Sequence, residues 1–276
     1  MKILDGSELA SYIKERQAKQ VRGLRQAYDT FPKLAIIVAN DSPVIDTYIR
    51  LKEQYGDDIL VDVEVHKVTV DEAIARIESL NQDESVHGII VQLPVSDESL
   101  TDQLLDSVLP QKDVDGLGSR ATLDPATPMA INWLLSGYNV DLEQKRIVIV
   151  GAGRLVGAPL ARLWLDSGYD VTVVAEPTDN LAQILLDADV IVSATGQPGL
   201  IASDMLHPNA VVVDAGTATE GGKIVGDIAA DVRERHDLVI TPEKGGVGPL
   251  TVCALFDNVI RAARDSKQQR DDQAQT

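Results

Sequence analysis

The chain has 276 residues, enough for one large or two ordinary domains, and 44% of them are apolar, which is ample for a core. Its 25 basic and 43 acidic residues give a formal charge of −18, which argues against nonspecific nucleic-acid binding and against an anionic membrane surface. The single cysteine, Cys253, excludes an intrachain disulfide, and no thiol cluster suggests a metal site.

From the N-terminus, Met-Lys-Ile-Leu-Asp-Gly lacks an apolar signal core, and no later apolar run is long enough to span a bilayer. A cytoplasmic protein is the expectation. Apolar runs at 34–39, 88–93, 147–150, 171–174, 190–194 and 210–214 read as buried strands. Between them, 46–55, 71–80, 100–108, 129–135 and 159–167 have helical periodicity. Strands alternating with helices imply βαβ units and a mainly parallel sheet, hence an α/β fold. The loop 116–128, rich in Gly, Pro, Asp and Thr, marks the boundary between a first domain, 1–125, and a second, 126–248. A last helix at 249–265 is expected to pack back on the first domain, and the polar residues 266–276 to be disordered. Cys253 stands among Leu250, Val252, Leu255 and Val259 at helical spacing, which reads as packing.

Three motifs in the first half could carry chemistry. Tyr48 and Lys52 are spaced to share a helix face, so a phenol and an amine project together. An ordinary surface lysine beside a half-buried tyrosine would give the same spacing. Gln92 closes the apolar run Gly88-Ile-Ile-Val-Gln, at the strand end where open α/β sheets bind ligands. A buried amide there needs partners, which the following loop could equally supply. In Lys112-Asp-Val-Asp-Gly116 the two aspartates could face one way, or serve only the turn.

The second half opens on a phosphate-binding pattern. Arg146-Ile-Val-Ile-Val150 reads as a strand, Gly151-Ala-Gly-Arg-Leu-Val-Gly157 as a turn, and the following residues as a helix. Free N–H groups and the helix dipole would point at an anion, and glycine lets the backbone come close. The spacing Gly151-x-Gly153-x-x-x-Gly157 is one residue longer than the usual dinucleotide fingerprint, and a plain strand–helix turn remains the alternative.

Tyr48-x-x-x-Lys52, Gly88-Ile-Ile-Val-Gln-Leu-Pro94, Lys112-Asp-Val-Asp-Gly116, Thr127-Pro128, Val156-Gly-x-Pro159 and Gly245-Gly-Val-Gly-Pro-Leu-Thr251 occur in that order. In this the chain resembles the bifunctional methylenetetrahydrofolate dehydrogenase/methenyltetrahydrofolate cyclohydrolase family of one-carbon metabolism. The resemblance implies two α/β domains forming a cleft, with folate on the first, NADP on a Rossmann-like second, and a homodimer. It implies oxidation of 5,10-methylenetetrahydrofolate to the 5,10-methenyl form with NAD(P), then hydrolysis to 10-formyltetrahydrofolate. Lys52 would be the central catalytic residue, with Gln92 holding it in the useful protonation state. Tyr48 would stack along the folate, Asp115 would bind the pterin, and Gly248 and Pro249 would line the same cleft. Gly151, Gly153, Arg154, Leu155, Gly157, Glu176 and Thr217 would lie at the cofactor.

Departures from the family pattern fall at Ile45, Ala126, Ala130, Gly153, Gly216-Thr-Ala218 and Pro242-Glu-Lys244, and leave Lys52, Gln92 and Asp115 in place. One bears on the cofactor. Val174-Ala-Glu-Pro-Thr178 stands where the family shows His-Ser with a nearby basic residue. Glu176 there would accept from ribose hydroxyls and repel a 2′-phosphate, which predicts weakened NADP preference and leaves NAD use open. Alternatively Glu176 points to solvent and Arg154 carries the phosphate. Two other functions fit parts of the pattern: another two-domain NAD(P)-dependent dehydrogenase, of the amino-acid or shikimate kind, and a non-catalytic folate- or nucleotide-binding relative.

Overall fold

The computed structural model describes residues 2–176, 178–220 and 223–274; Pro177 of the Glu176 segment and the last two residues of the tail lie outside them. In chain order the elements begin with β1 (Lys2–Ile3), α1 (Gly6–Tyr28), β2 (Lys33–Val38), α2 (Pro43–Ile59), β3 (Asp62–Lys67) and α3 (Val70–Gln82). They continue through β4 (Gly88–Val91), α4 (Thr101–Ser107), α5 (Ala126–Gly137), β5 (Arg146–Val150), α6 (Gly157–Asp166), β6 (Asp170–Val174) and α7 (Leu181–Leu186). The last are β7 (Val190–Ser193), β8 (Val211–Asp214), β9 (Ala218–Glu220), β10 (Lys223–Val225), β11 (Val239–Ile240) and α8 (Val247–Ala274). None of the described helices is long and apolar enough to cross a membrane.

One compact unit comprises Ser11–Ala126 and Val252–Thr276. Its sheet is parallel, in the order β3-β2-β4, with Leu34 opposite both Val63 and Gly88. β2 and β4 are buried nearly throughout, as their unbroken apolar runs require. Ile77, Leu80, Leu104 and Leu105 of α3 and α4 pack with Ile37, Ile89 and Val91. A capping box, Thr69 with Glu72, starts α3. The C-terminal part of α8 is fastened by polar contacts. Asn258 Nδ2 donates to the carbonyls of Val114 (2.9 Å) and Asp124 (3.0 Å), and Gln17 Nε2 donates to that of Cys253 (2.8 Å). Cys253 is buried and in no disulfide, with its Sγ 3.1 Å from the Tyr55 hydroxyl, which also reaches Gln17 Oε1 at 2.6 Å.

The other unit comprises Met1–Ala10 and Thr127–Thr251. Six parallel strands lie in the order β1-β11-β8-β7-β5-β6, and β9 and β10 form a separate antiparallel hairpin. From β5 the chain steps outward to β6, then returns to the other side of β5 for β7 and β8. That reversal between β5 and β7 is where doubly wound sheets open a ligand crevice at the strands' C-terminal ends. Val148, Val150, Leu185, Ile191 and Val212 anchor the core on one face.

Several elements differ from the sequence expectation. The 23-residue α1 has mostly charged and polar residues and buries only a narrow stripe through Ala10, Gln17, Ala18, Val21 and Leu24, so its periodicity is faint. β3, Asp-Val-Glu-Val-His-Lys, is an edge strand with polar alternation. β1 pairs with β11, two residues each, so the segment through Ala10 joins the second unit rather than the domain 1–125. At the other end α8 starts at Val247 and runs unbroken through Ser266 to Ala274, where a disordered tail was expected.

Candidate active site

Helix α2 buries Ile45, Ile49, Gly56 and Ile59. Lys52 follows Ile49 by three residues and precedes Gly56 by four, so it lies on the same stripe. A lysine in that position is carried into the unit's interior by the helix geometry itself. Its surface is still half-buried rather than lost, yet protein surrounds the ammonium closely enough that burial holds its pKa below the usual lysine value, against the opposing charge of Asp115. Tyr48, one turn earlier, is also half-buried, and burial raises the pKa of its phenol.

Two further groups converge on Lys52. Gln92 immediately follows β4, its N–H bonded to the Ile37 carbonyl at 2.9 Å. Its side-chain Nε2 donates to Leu93 O at 3.0 Å, which turns Oε1 toward Lys52 to accept from Nζ at 2.6 Å. The orientation is unambiguous, since an amine in either form can donate here and Leu93 O can only accept. Because Gln92 is neutral, it keeps this bond whether the lysine is charged or not. The third group, Asp115, has its pKa pushed up to about 6, chiefly by burial; Lys52 opposes the rise and Asp113 adds to it.

Asp113 has a different task. It is 4% exposed and accepts from Gly116 N (2.9 Å) and Gly118 N (2.8 Å). Gly116 has φ +69° and its Cα faces Leu123 O and Pro125 N too closely for any side chain. The Lys112 ammonium is spent on the end of α3, donating to the carbonyls of Leu80 (3.0 Å), Asn81 (2.9 Å) and Asp83 (2.7 Å). So Asp113 and Lys112 hold the turn, and Asp115 is the carboxylate presented beside Lys52.

In the other unit, Gly151 turns at φ +95° and its N–H donates to Val174 O at 2.8 Å. A Cβ on Gly151 would meet Ala194 O at 2.5 Å, and one on Gly157 would overlap the Gly151 carbonyl. The turn is therefore as tight as a phosphate cradle demands, and no side chain caps the first turn of α6. These residues fit a dinucleotide. Gly153, Arg154 and Leu155 are exposed in the same turn, and Glu176 is exposed two residues beyond β6. Thr217 lies between β8 and β9, and Gly248 and Pro249 form the first turn of α8. The structure thus gathers Lys52, Gln92 and Asp115 in one unit, and gathers the glycine turn, Glu176 and Thr217 at the strand ends of the other.

The comparisons with known proteins bear on both units. Residues 4–115 match the tetrahydrofolate dehydrogenase/cyclohydrolase catalytic domain, and residues 125–267 match the NAD(P)-binding domain of the same enzymes. The chain belongs to the tetrahydrofolate dehydrogenase/cyclohydrolase family. The bifunctional protein FolD of Campylobacter jejuni is 37% identical, over 96% of this chain and 99% of that protein. The crystal structure of a C. jejuni FolD superimposes with a TM-score of 0.89 at 36% identity, covering 96% of this chain and 99% of that one. The Trypanosoma brucei FolD, solved with NADP and an inhibitor, gives 0.86 at 31% identity, covering 96% and 97%. A match to this family across both units leaves no support for an amino-acid or shikimate dehydrogenase.

Sequence reasoning passed over Asp214 and Asp227, two largely buried carboxylates of the NAD(P)-binding unit. Asp214 ends an apolar strand just as Gln92 follows one, so the same argument could have found it. The geometry around Lys52 makes a direct test possible. After reductive methylation with 13C-formaldehyde, the Lys52 signal, assigned by its loss in Lys52→Met, is expected to titrate below those of the exposed lysines. In Asp115→Asn it should titrate lower still, because the opposing charge is gone. A Lys52 curve lying among the exposed lysines would refute the desolvated amine.

Proposed function

We propose that this chain oxidises 5,10-methylenetetrahydrofolate to the methenyl form with a nicotinamide dinucleotide and hydrolyses the product to 10-formyltetrahydrofolate. The observation that carries the reading is Lys52, desolvated on an apolar helix stripe with the neutral Gln92 at 2.6 Å and Asp115 opposing its loss of charge. The family membership of both units supports it.

Bound in the glycine turn, the dinucleotide supplies the acceptor for a hydride from the methylene bridge. That step asks the protein for positioning more than for acid or base. Hydrolysis is where the amine works. Water adds to the electrophilic methenyl carbon and gives a proton to neutral Lys52. Lys52 returns that proton to N5 as the bond from the carbon to N5 breaks, and the adduct's hydroxyl loses its own proton to solvent, leaving the formyl group on N10 with one proton released overall. A lysine of ordinary pKa would be almost wholly protonated at neutral pH and could not accept the proton. Tyr48 offers an aromatic face to the folate. Asp115, with its pKa pushed up to about 6, stays mostly ionised at neutral pH and can accept from the pterin's N–H and amino groups. Lys52→Met is expected to fold normally and lose cyclohydrolase activity by at least about a hundredfold, the lower end of typical acid–base contributions. Retained hydrolysis in that variant would remove Lys52 from this role.

NADP is the dinucleotide found with the T. brucei relative, and it is the proposed cofactor here, with the preference tempered by Glu176. Arg154 is the cation of the turn suited to a 2′-phosphate, while the Glu176 carboxylate repels that phosphate and suits a ribose diol. Glu176→Ser should therefore raise the ratio of kcat/KM for NADP over NAD by about tenfold, on the scale of one lost charge repulsion. An unchanged ratio would place Glu176 outside the ribose site.

The chain is also proposed to form a homodimer. β6 ends the six-stranded sheet with one edge unpaired, its residues mostly exposed, and Val173 (38% exposed) and Leu165 of the preceding α6 (52%) leave apolar surface there. A long exposed edge of this kind invites pairing with a second copy. Sedimentation should give a dimer for the native chain and a monomer for the double variant Leu165→Asp, Val173→Asp; a monomeric native chain would exclude the assembly. A cytoplasmic setting suits the one cysteine, which is buried and forms no disulfide.

A further inference from the structure

One buried carboxylate ties together the loops of the NAD(P)-binding unit, and nothing above uses it. Asp227 is fully buried. Its Oδ2 accepts three hydrogen bonds: from Ser193 Oγ (2.7 Å), Thr195 N (2.8 Å) and Thr195 Oγ1 (2.9 Å). Its Oδ1 has no hydrogen-bond partner and lies against Gly216, where a Cβ would overlap it. Its N–H donates to Asp214 Oδ1 at 3.0 Å, and the same oxygen accepts from Gly216 N at 3.2 Å. Asp214 Oδ2 is held in turn by Arg233 Nη2 at 3.3 Å.

These bonds fix the loops that leave the C-terminal ends of β7 and β8. The first backs directly onto the glycine turn, since a Cβ on Gly151 would meet Ala194 O at 2.5 Å and Thr195 Cγ2 at 3.2 Å. It is also folded on itself, with Gln197 N donating to Thr195 Oγ1 at 3.1 Å. The second loop carries Gly216 and Thr217. A dinucleotide lies across the strand-order reversal, one half on each side. Its adenosine ribose belongs to the β6 side, where Glu176 stands, so its nicotinamide half falls over β7 and β8. A carboxylate suits the bond between those loops because it only accepts, and one oxygen can take donors from a strand end, a backbone N–H and a hydroxyl together.

We propose that Asp227 is a positioning residue for the hydride-accepting half of the dinucleotide. It does not touch the cofactor; it holds Thr195 and the bed formed by the two loops, while the adenosine half is held elsewhere. This inference rests on the cofactor reading given above. Asp227→Ala and Thr195→Val are to be compared with the native chain by calorimetric titration with NADP, with NAD, and with AMP and its 2′-phosphorylated form as probes of the adenosine half. Both variants are expected to bind the full dinucleotides about tenfold more weakly, a misplacement effect, while binding the adenosine probes within about twofold of the native chain. Hydrolysis of methenyltetrahydrofolate, assayed without dinucleotide, should stay at the native rate. Thr195→Val answers the question if Asp227→Ala does not fold, because it changes a half-buried hydroxyl alone. Equal losses for dinucleotide and adenosine probe would make Asp227 a general prop and overturn the proposal, as would unchanged binding of both. A native chain that bound neither dinucleotide would overturn the cofactor reading together with it.

Discussion

An ammonium group seated in the apolar stripe of α2 sets the terms for half of this molecule. Lys52 cannot turn away from the interior without unwinding the helix that Ile45, Ile49 and Ile59 anchor. Burial then disfavours its charge, and the surroundings decide how far. A carboxylate in direct contact would have restored an ordinary, permanently charged lysine. A purely apolar pocket would have left a buried amine with unsatisfied donors. Gln92 at 2.6 Å avoids both, because an amide oxygen accepts from an amine in either state. Asp115 supplies the counterweight without a hydrogen bond to Nζ, and its own raised pKa shows that it feels the same desolvation.

Each of these side chains is only as useful as the backbone beneath it, and carboxylates do much of that work. Asp113 closes the turn that presents Asp115 by accepting from Gly116 and Gly118. Asp214 and Asp227 join loops at the strand ends of the NAD(P)-binding unit. The logic is the same in both units. Loops at the C-terminal ends of parallel strands have backbone N–H groups that the sheet cannot satisfy, and a buried aspartate satisfies several at once while fixing their direction. It also explains the close glycines, Gly116 and Gly216, which leave room for the backbone to reach the carboxylate or turn past it.

The buried strands were legible because β2, β4, β5, β7 and β8 lie inside parallel sheets and so read as unbroken apolar runs. α1 and β3 were not, since each shows solvent much of its length and carries a polar sequence. β1 and β11 are two residues each, too short for any periodicity, and so the pairing of the first residues with β11 was not legible. Spacing alone pointed to the glycine turn and left Lys52 and Gln92 as open candidates; the ordered set of motifs, through the family it resembles, singled them out. What spacing could not separate was Asp113 from Asp115. Two carboxylates in one turn look alike in sequence, and only the paths of Gly116 N and Gly118 N assign the structural task to the first. Lys52 itself had a readable signal that pairwise spacing with Tyr48 obscured: it is the charged member of an otherwise apolar stripe.

The distribution of these groups has a consequence for how the two activities are coupled. Lys52, its amide partner Gln92 and Asp115 all belong to the unit of Ser11–Ala126. On the proposed mechanism, hydrolysis draws its proton transfers from Lys52 and its partners within that unit, and the glycine turn belongs to the other. The glycine turn, the exposed Glu176 and the loops fastened by Asp227 belong to the Thr127–Thr251 unit, so on the proposed reading substitutions there bear on the dinucleotide. The departures from the family pattern fall in both units, at Ile45 on α2 as well as at Gly153 and Glu176, while Lys52, Gln92 and Asp115 are in place. With Glu176 at the ribose and Lys52 at the hydrolysed carbon, cofactor preference can change with no substitution among Lys52, Gln92 and Asp115, because the two proposed sets of residues belong to different units.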